Sequence, residues 1–123
     1  MTLRQAITMM DNLKYNTFTL SQKLGWLSDV ESRIHGEILA THEGGPEGEF
    51  APFTEDTDLD THLAAPAPYD ILYLRQLETQ MDYHNGEIDK YNNSSQLLNT
   101  ALAGYRRWYN RTHLPKTGSW KFP

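Results

Sequence analysis

Apolar residues recur along this chain at steps of three and four, which predicts helices rather than strands. Leu3, Ile7, Met10 and Leu13 form a first short stripe. Thr2 with Gln5 opens it as a capping box, and Asn12 and Asn16 around Tyr15 end it. A second box, Thr19 with Gln22, opens a stripe of Leu20, Leu24, Leu27, Val30 or Glu31, Ile34 and Ile38, about five turns long. Trp26 sits beside that stripe and is expected to face a neighbour. The helix should stop near His42, because Glu43-Gly44-Gly45-Pro46 cannot continue it.

Residues 43–67 read as a long connection rich in Gly, Pro and acids, a length usually reserved for function or disorder. Phe50 and Phe53 are placed to pin it onto the core. Thr61-His62-Leu63-Ala64 reads as a short strand, in a β-hairpin or against a neighbouring subunit. After Pro66 and Pro68, the steps of Tyr69, Leu72, Tyr73, Leu77, Met81, His84, Ile88 and Tyr91 predict a long helix with Gly86 as its weak point. Tyr91-Asn92-Asn93-Ser94 then reads as a turn or cap. A last helix carries Leu97, Leu98, Ala101, Leu102, Tyr105, Trp108 and Tyr109, and Thr112 to Pro115 closes it. The expected fold is therefore mainly α, a bundle of about four helices. Residues 1–115 form one domain, its last two helices pair as an antiparallel hairpin, and 116–123 are an extended tail.

Composition changes this picture in two ways. Apolar content of 38% is low for a self-contained globule, which suggests surface meant for a partner or for further copies. The net charge of −5 also conceals an asymmetry. Residues 43 to 60 hold seven acids and no base: Glu43, Glu47, Glu49, Glu55, Asp56, Asp58 and Asp60. Residues 106 to 123 hold five bases and no acid: Arg106, Arg107, Arg111, Lys116 and Lys121. The plain reading is a solvated loop and an ordinary tail. The sharper one is that the two segments meet different partners, the basic end at a docking partner and the acidic loop away from it. There is no cysteine, hence no disulfide or thiolate chemistry. No apolar run approaches the ~20 residues of a membrane span, and the first residues lack a signal-peptide core, so assembly in the cytoplasm is expected.

Catalytic patterns are weak. Asp56-Thr57-Asp58-Leu59-Asp60 begins like a calcium loop, but Thr61 and Ala67 stand where such a loop needs Gly and Glu. His35 and His42 share a helix face two turns apart, too far to chelate one ion. No nucleophile elbow or phosphate-cradling loop is present. The chain is expected not to be an enzyme and to need no cofactor or metal. Arg106-Arg107-Trp108-Tyr109-Asn110-Arg111 is the segment that stands out. Its residue types suit a protein hot spot, or phosphate pairing with base stacking. It also suits a helix end whose aromatics are core and whose arginines complement the dipole. Overall acidity ranks docking first, core second and nucleic acid third. Trp120 and Phe122 in the tail favour docking, since exposed aromatics call for a cover.

Four segments resemble a family of small phage and prophage proteins, the head–tail adaptors of tailed bacteriophages: Pro66-Ala67-Pro68-Tyr69-Asp70-Ile71-Leu72-Tyr73, Leu77 to Tyr83, Tyr91 to Ser94, and Tyr105 to Pro115. Glu55 to Asp58, with Asp60-Thr61, suits the same pattern. The resemblance covers the C-terminal half strongly and the first helices loosely. Gly86 and His84 depart from it, and the tail from Gly118 to Pro123 has no match in it. It implies a helical subunit of a ring, typically a dodecamer, in the virion neck beneath the portal protein. That ring extends the DNA tunnel without reading sequence and presents a surface to the stopper or tail-completion protein. Portal docking then falls to Arg106, Arg107, Trp108, Tyr109, Arg111, Lys116, Trp120, Lys121 and Phe122. The acidic residues face the tunnel, the next subunit or the tail-side partner. Trp26, Phe50, Phe53, Tyr83 and Trp108 are candidates for lateral contacts. The competing class is a small cytosolic regulatory module that binds protein or nucleic acid through the same basic aromatic patch.

Overall fold

The structure is a computed structural model and describes residues 1–116. Four α-helices follow in order: α1 (Leu3–Leu13), α2 (Leu20–Glu37), α3 (Ile71–His84) and α4 (Ile88–Thr112). A 3-10 turn at Leu39–Thr41 extends α2. Both capping boxes form, with Thr2 accepting from Gln5 and Thr19 from Gln22. The inner stripes meet in one core that includes Leu3, Met10, Leu24, Leu27, Ile34, Leu72, Tyr73, Leu77, Met81 and Tyr105. Leu13 and Leu20, at the stripe ends, stay exposed.

The hairpin turn lies earlier than the polar cluster at 91–94 predicts. Helix α3 ends at His84, and α4 runs unbroken through Asn92, Asn93 and Ser94. Gly86 adopts a φ of 71°. The Glu87 N–H donates to the Asp82 carbonyl at 3.0 Å, and the Gly86 N–H to that of Tyr83 at 3.1 Å. This is a Schellman closure, in which only glycine turns left-handed without a side-chain penalty. Inside α4, the Ser94 hydroxyl is buried and lies 2.9 Å from a carboxylate oxygen of Asp82 on α3. Lys14, following α1, pairs with the other oxygen of that carboxylate. A residue that favours caps in isolation is thus held mid-helix by a buried acid across the hairpin.

The 43–67 connection is not a free loop. It runs back along α2: the Gly48 carbonyl lies 2.9 Å from His35 Nε2, and the Phe53 N–H donates to Ser28 Oγ at 2.8 Å. Further on, the Ala64 N–H donates to the Glu31 carboxylate at 2.9 Å. Thr61 to Leu63 do not form a hairpin. They pair with the N-terminus, through an isolated antiparallel bridge between Thr2 and His62. The first N–H groups of α1 lack helical partners. Those of Leu3 and Arg4 donate to the carbonyls of Thr61 and Leu59, at 3.1 and 2.8 Å. Near the start of the connection, a side chain on Gly45 would meet the Leu39 carbonyl oxygen at 2.0 Å, so the chain turns there only with glycine.

Candidate docking surface

Helix α4 sorts the basic aromatic segment by face. Residues 105, 108 and 109 fall on one side of a helix, and 106, 107, 110 and 111 on the other. Tyr105 and Tyr109 are buried at 1% and 8% exposure, and Trp108 is half-buried. Trp108 packs against Tyr69 at 5.2 Å and stacks on Tyr105 at 6.0 Å. Burial, then the neighbouring Tyr109 and Glu31, push the Tyr105 hydroxyl up to about 12. The aromatics of this segment therefore build the core, and Tyr109 is not available to a partner. Arg106, Arg107 and Arg111 remain outside.

The end of α4 is clasped to the end of α2. The Tyr109 and His113 rings stack at 3.7 Å and 1°, and His42 meets Tyr109 edge-on at 4.8 Å. The buried His42 donates from Nδ1 to the Ile38 carbonyl at 2.6 Å. The Glu43 N–H donates to the Leu114 carbonyl at 2.8 Å and the Lys116 N–H to that of Thr41 at 3.1 Å. Nothing local in the sequence links His42 to His113, and only the fold brings both to Tyr109. The clasp also corrects the expected separation of charge, since Glu43 adjoins Leu114 and Glu37 pairs with Arg106 at 3.0 Å. The acidic segment thus starts beside the basic end and travels away from it.

All seven acidic candidates, Glu43, Glu47, Glu49, Glu55, Asp56, Asp58 and Asp60, are exposed. Asp60 pairs with Arg4 at 3.0 Å. Phe53 packs against the core and Phe50 edges onto Phe53 at 5.3 Å, so both pin the connection rather than stand free. Trp26 is likewise buried: at 8% exposure it stacks on His84 at 5.3 Å and meets Phe18 at 5.1 Å. A position beside the α2 stripe becomes interior because the end of α3 covers it. Of the lateral candidates, Tyr83 is the exposed one, at 59%. Lys116 is exposed, and Trp120, Lys121 and Phe122 lie outside the described residues.

The arginines shape a groove between α2 and α4 of about 240 Å³, lined by Arg33, Asn99, Leu102, Arg106, Arg107 and Asn110. No sequence pattern links Arg33 to this segment, since its place beside α4 depends on how the helices pack. Glu37 reaches both Arg33, at 3.8 Å, and Arg106, holding two guanidinium groups at the rim. Chemically, this groove suits carboxylates or phosphates, which the planar fork of arginine binds in pairs. Among the described residues no cluster of three histidine, cysteine, aspartate or glutamate side chains is placed to hold a metal, and no helix is long and apolar enough to cross a membrane. Comparison with known protein families, curated proteins and solved structures finds no match to this chain.

Proposed function

We propose that this chain is a structural subunit of a tailed-phage neck. In this reading it is a head–tail adaptor that forms a ring, docks on the portal, extends the DNA tunnel and meets the stopper or tail. The residue resemblance over Pro66 to Pro115 supports the reading. The observation that carries it furthest is the clasp. It holds the root of the basic tail against the end of α2, next to an outward row of arginines. A docking tail needs such a firm root, because ordering both a tail and its base on binding would cost more affinity. The exposed acidic band suits a conduit, since a negative wall repels phosphate and lets DNA slide.

Cryo-electron microscopy of assembled particles tests this. A ring of copies between portal and tail is the expected result; single copies away from the portal would overturn it. Deleting residues 117–123 should leave the helical fold intact and weaken portal attachment. The three arginines of the α2–α4 groove also favour a second reading, a regulatory module that binds nucleic acid. Salt-sensitive, nanomolar DNA binding by the isolated chain would support that instead.

A further inference from the structure

The two charged features of this fold lie on opposite sides of one helix. The acidic connection touches α2 at Ser28 and His35, which are seven residues apart and share a face. Arg33 and Glu37, which border the arginine groove, lie about 140–180° around the same helix at 100° per residue. One side of the molecule therefore presents an acidic band. Its Glu47, Glu49, Glu55 and Asp56 carry no ion pair among the described residues. The other side presents an open groove with three guanidinium groups, of which Glu37 engages two, and Arg107 projects without an ion pair among the described residues.

We propose that this groove is the seat for a second copy of the chain, whose acidic 43–60 connection lies across Arg33, Arg106 and Arg107. The proposal deepens the ring reading, because it names the faces that join neighbours. Charge complementarity selects the occupant: the chain carries its own run of seven acids without a base, which follows α2 from Gly48 to Phe53 and then reaches the start of α1. Because donor and acceptor faces differ and point apart, the contact is head-to-tail, which closes into a ring or runs on as a filament. A two-fold dimer would instead bring like charges together. Glu37 has a place in this scheme. It fixes Arg33 and Arg106 before contact and leaves the groove with a net positive charge.

The absence of cysteine makes a direct test simple. Ala51→Cys and Asn110→Cys chains, which keep every charge of both faces, each purified and then mixed under mild oxidation at low salt, should cross-link to each other. The cross-link should be at least tenfold more abundant than that of either variant with an exposed control such as Asn92→Cys. The chain carrying both cysteines should give a ladder of multimers. Arg107→Glu should abolish the assembly measured by mass photometry, and Glu55→Lys with Asp56→Lys should do the same. All three changes in one chain, which swap the charges at positions 55 and 56 with that at 107, should restore part of it. Cross-linking no stronger than the control would overturn the proposal. Rings that persist through both charge reversals would overturn this contact while leaving the ring reading intact. A chain that stays monomeric and fails to bind portal would overturn both. Binding of short duplex DNA that Arg107→Glu removes, without any self-association, would assign the groove to nucleic acid and overturn the proposal.

Discussion

Asp82 and Glu31 are both carboxylates buried among helices, but their partners differ. At the hairpin end, Asp82 meets the Lys14 ammonium from beyond α1 and the Ser94 hydroxyl from α4, so three parts of the fold converge on a compensated charge. Midway along α2, Glu31 meets neutral donors, the Tyr73 hydroxyl at 2.7 Å and the Ala64 N–H at 2.9 Å. Burial pushes the Glu31 carboxyl up, against the hydrogen bonds from Tyr73 and Ala64. Tyr73 is pushed up as well, first by burial and then by the charge of Glu31, while it accepts from the Ala65 N–H at 2.9 Å. The first anchor balances a charge with a charge. The second holds a charge with dipoles, so its pH response falls on the segment it ties down, the end of the acidic connection.

That contrast is open to experiment. Asp82→Ala should have the largest effect, a loss of about 3 kcal/mol in urea unfolding, because the buried Ser94 hydroxyl and the half-buried Lys14 lose their shared partner. A loss below about 1 kcal/mol would mean that water replaces the carboxylate. Tyr73→Phe should cost about 1–2 kcal/mol, since the Ala65 N–H and one oxygen of Glu31 are left unpaired. The connection near Ala64 and Ala65 should then exchange amide protons faster than α3 does.

Glu31 also predicts a slope with pH. Its folded pKa is raised, so between the ordinary value of 4.5 and the raised one the folded chain holds a proton that the unfolded chain has released. The contribution is complete below that window and is lost as pH rises through it. Glu31→Gln should flatten the slope of stability above pH 4.5 while destabilising the fold modestly, because its amide accepts in only one of the two positions. An unchanged slope would show that another group governs the response. The smallest effect belongs to an exposed pair. Arg4→Ala, which breaks the contact with Asp60, should change stability by less than about 0.5 kcal/mol, and less still at high salt.

The helix starts were legible because capping is local. Thr2 with Gln5 and Thr19 with Gln22 satisfy N–H groups three residues away, so each box forms wherever its helix packs. The turn at the hairpin was less legible. Asn92, Asn93 and Ser94 carry a stronger cap signal than one glycine, yet Gly86 closes α3 and α4 continues through them. The deciding partner of Ser94 is Asp82, twelve positions back, and it comes within reach only when the hairpin closes. At the basic end, composition marked the segment but not its faces. Tyr105 and Tyr109 became core and the arginines became surface once α4 lay along α3.

By itself, the sequence determined what depends on near neighbours: four helical stripes, two capping boxes, an acidic connection and a basic helix end. Only the tertiary structure decided that Trp26 is interior, that the connection clads α2 and caps α1, and that Arg33 joins Arg106 and Arg107 in one groove. The physical reason is range. Helical periodicity and capping act over three or four residues, whereas burial, ion pairing and the meeting of faces depend on groups that folding brings together from distant parts of the chain.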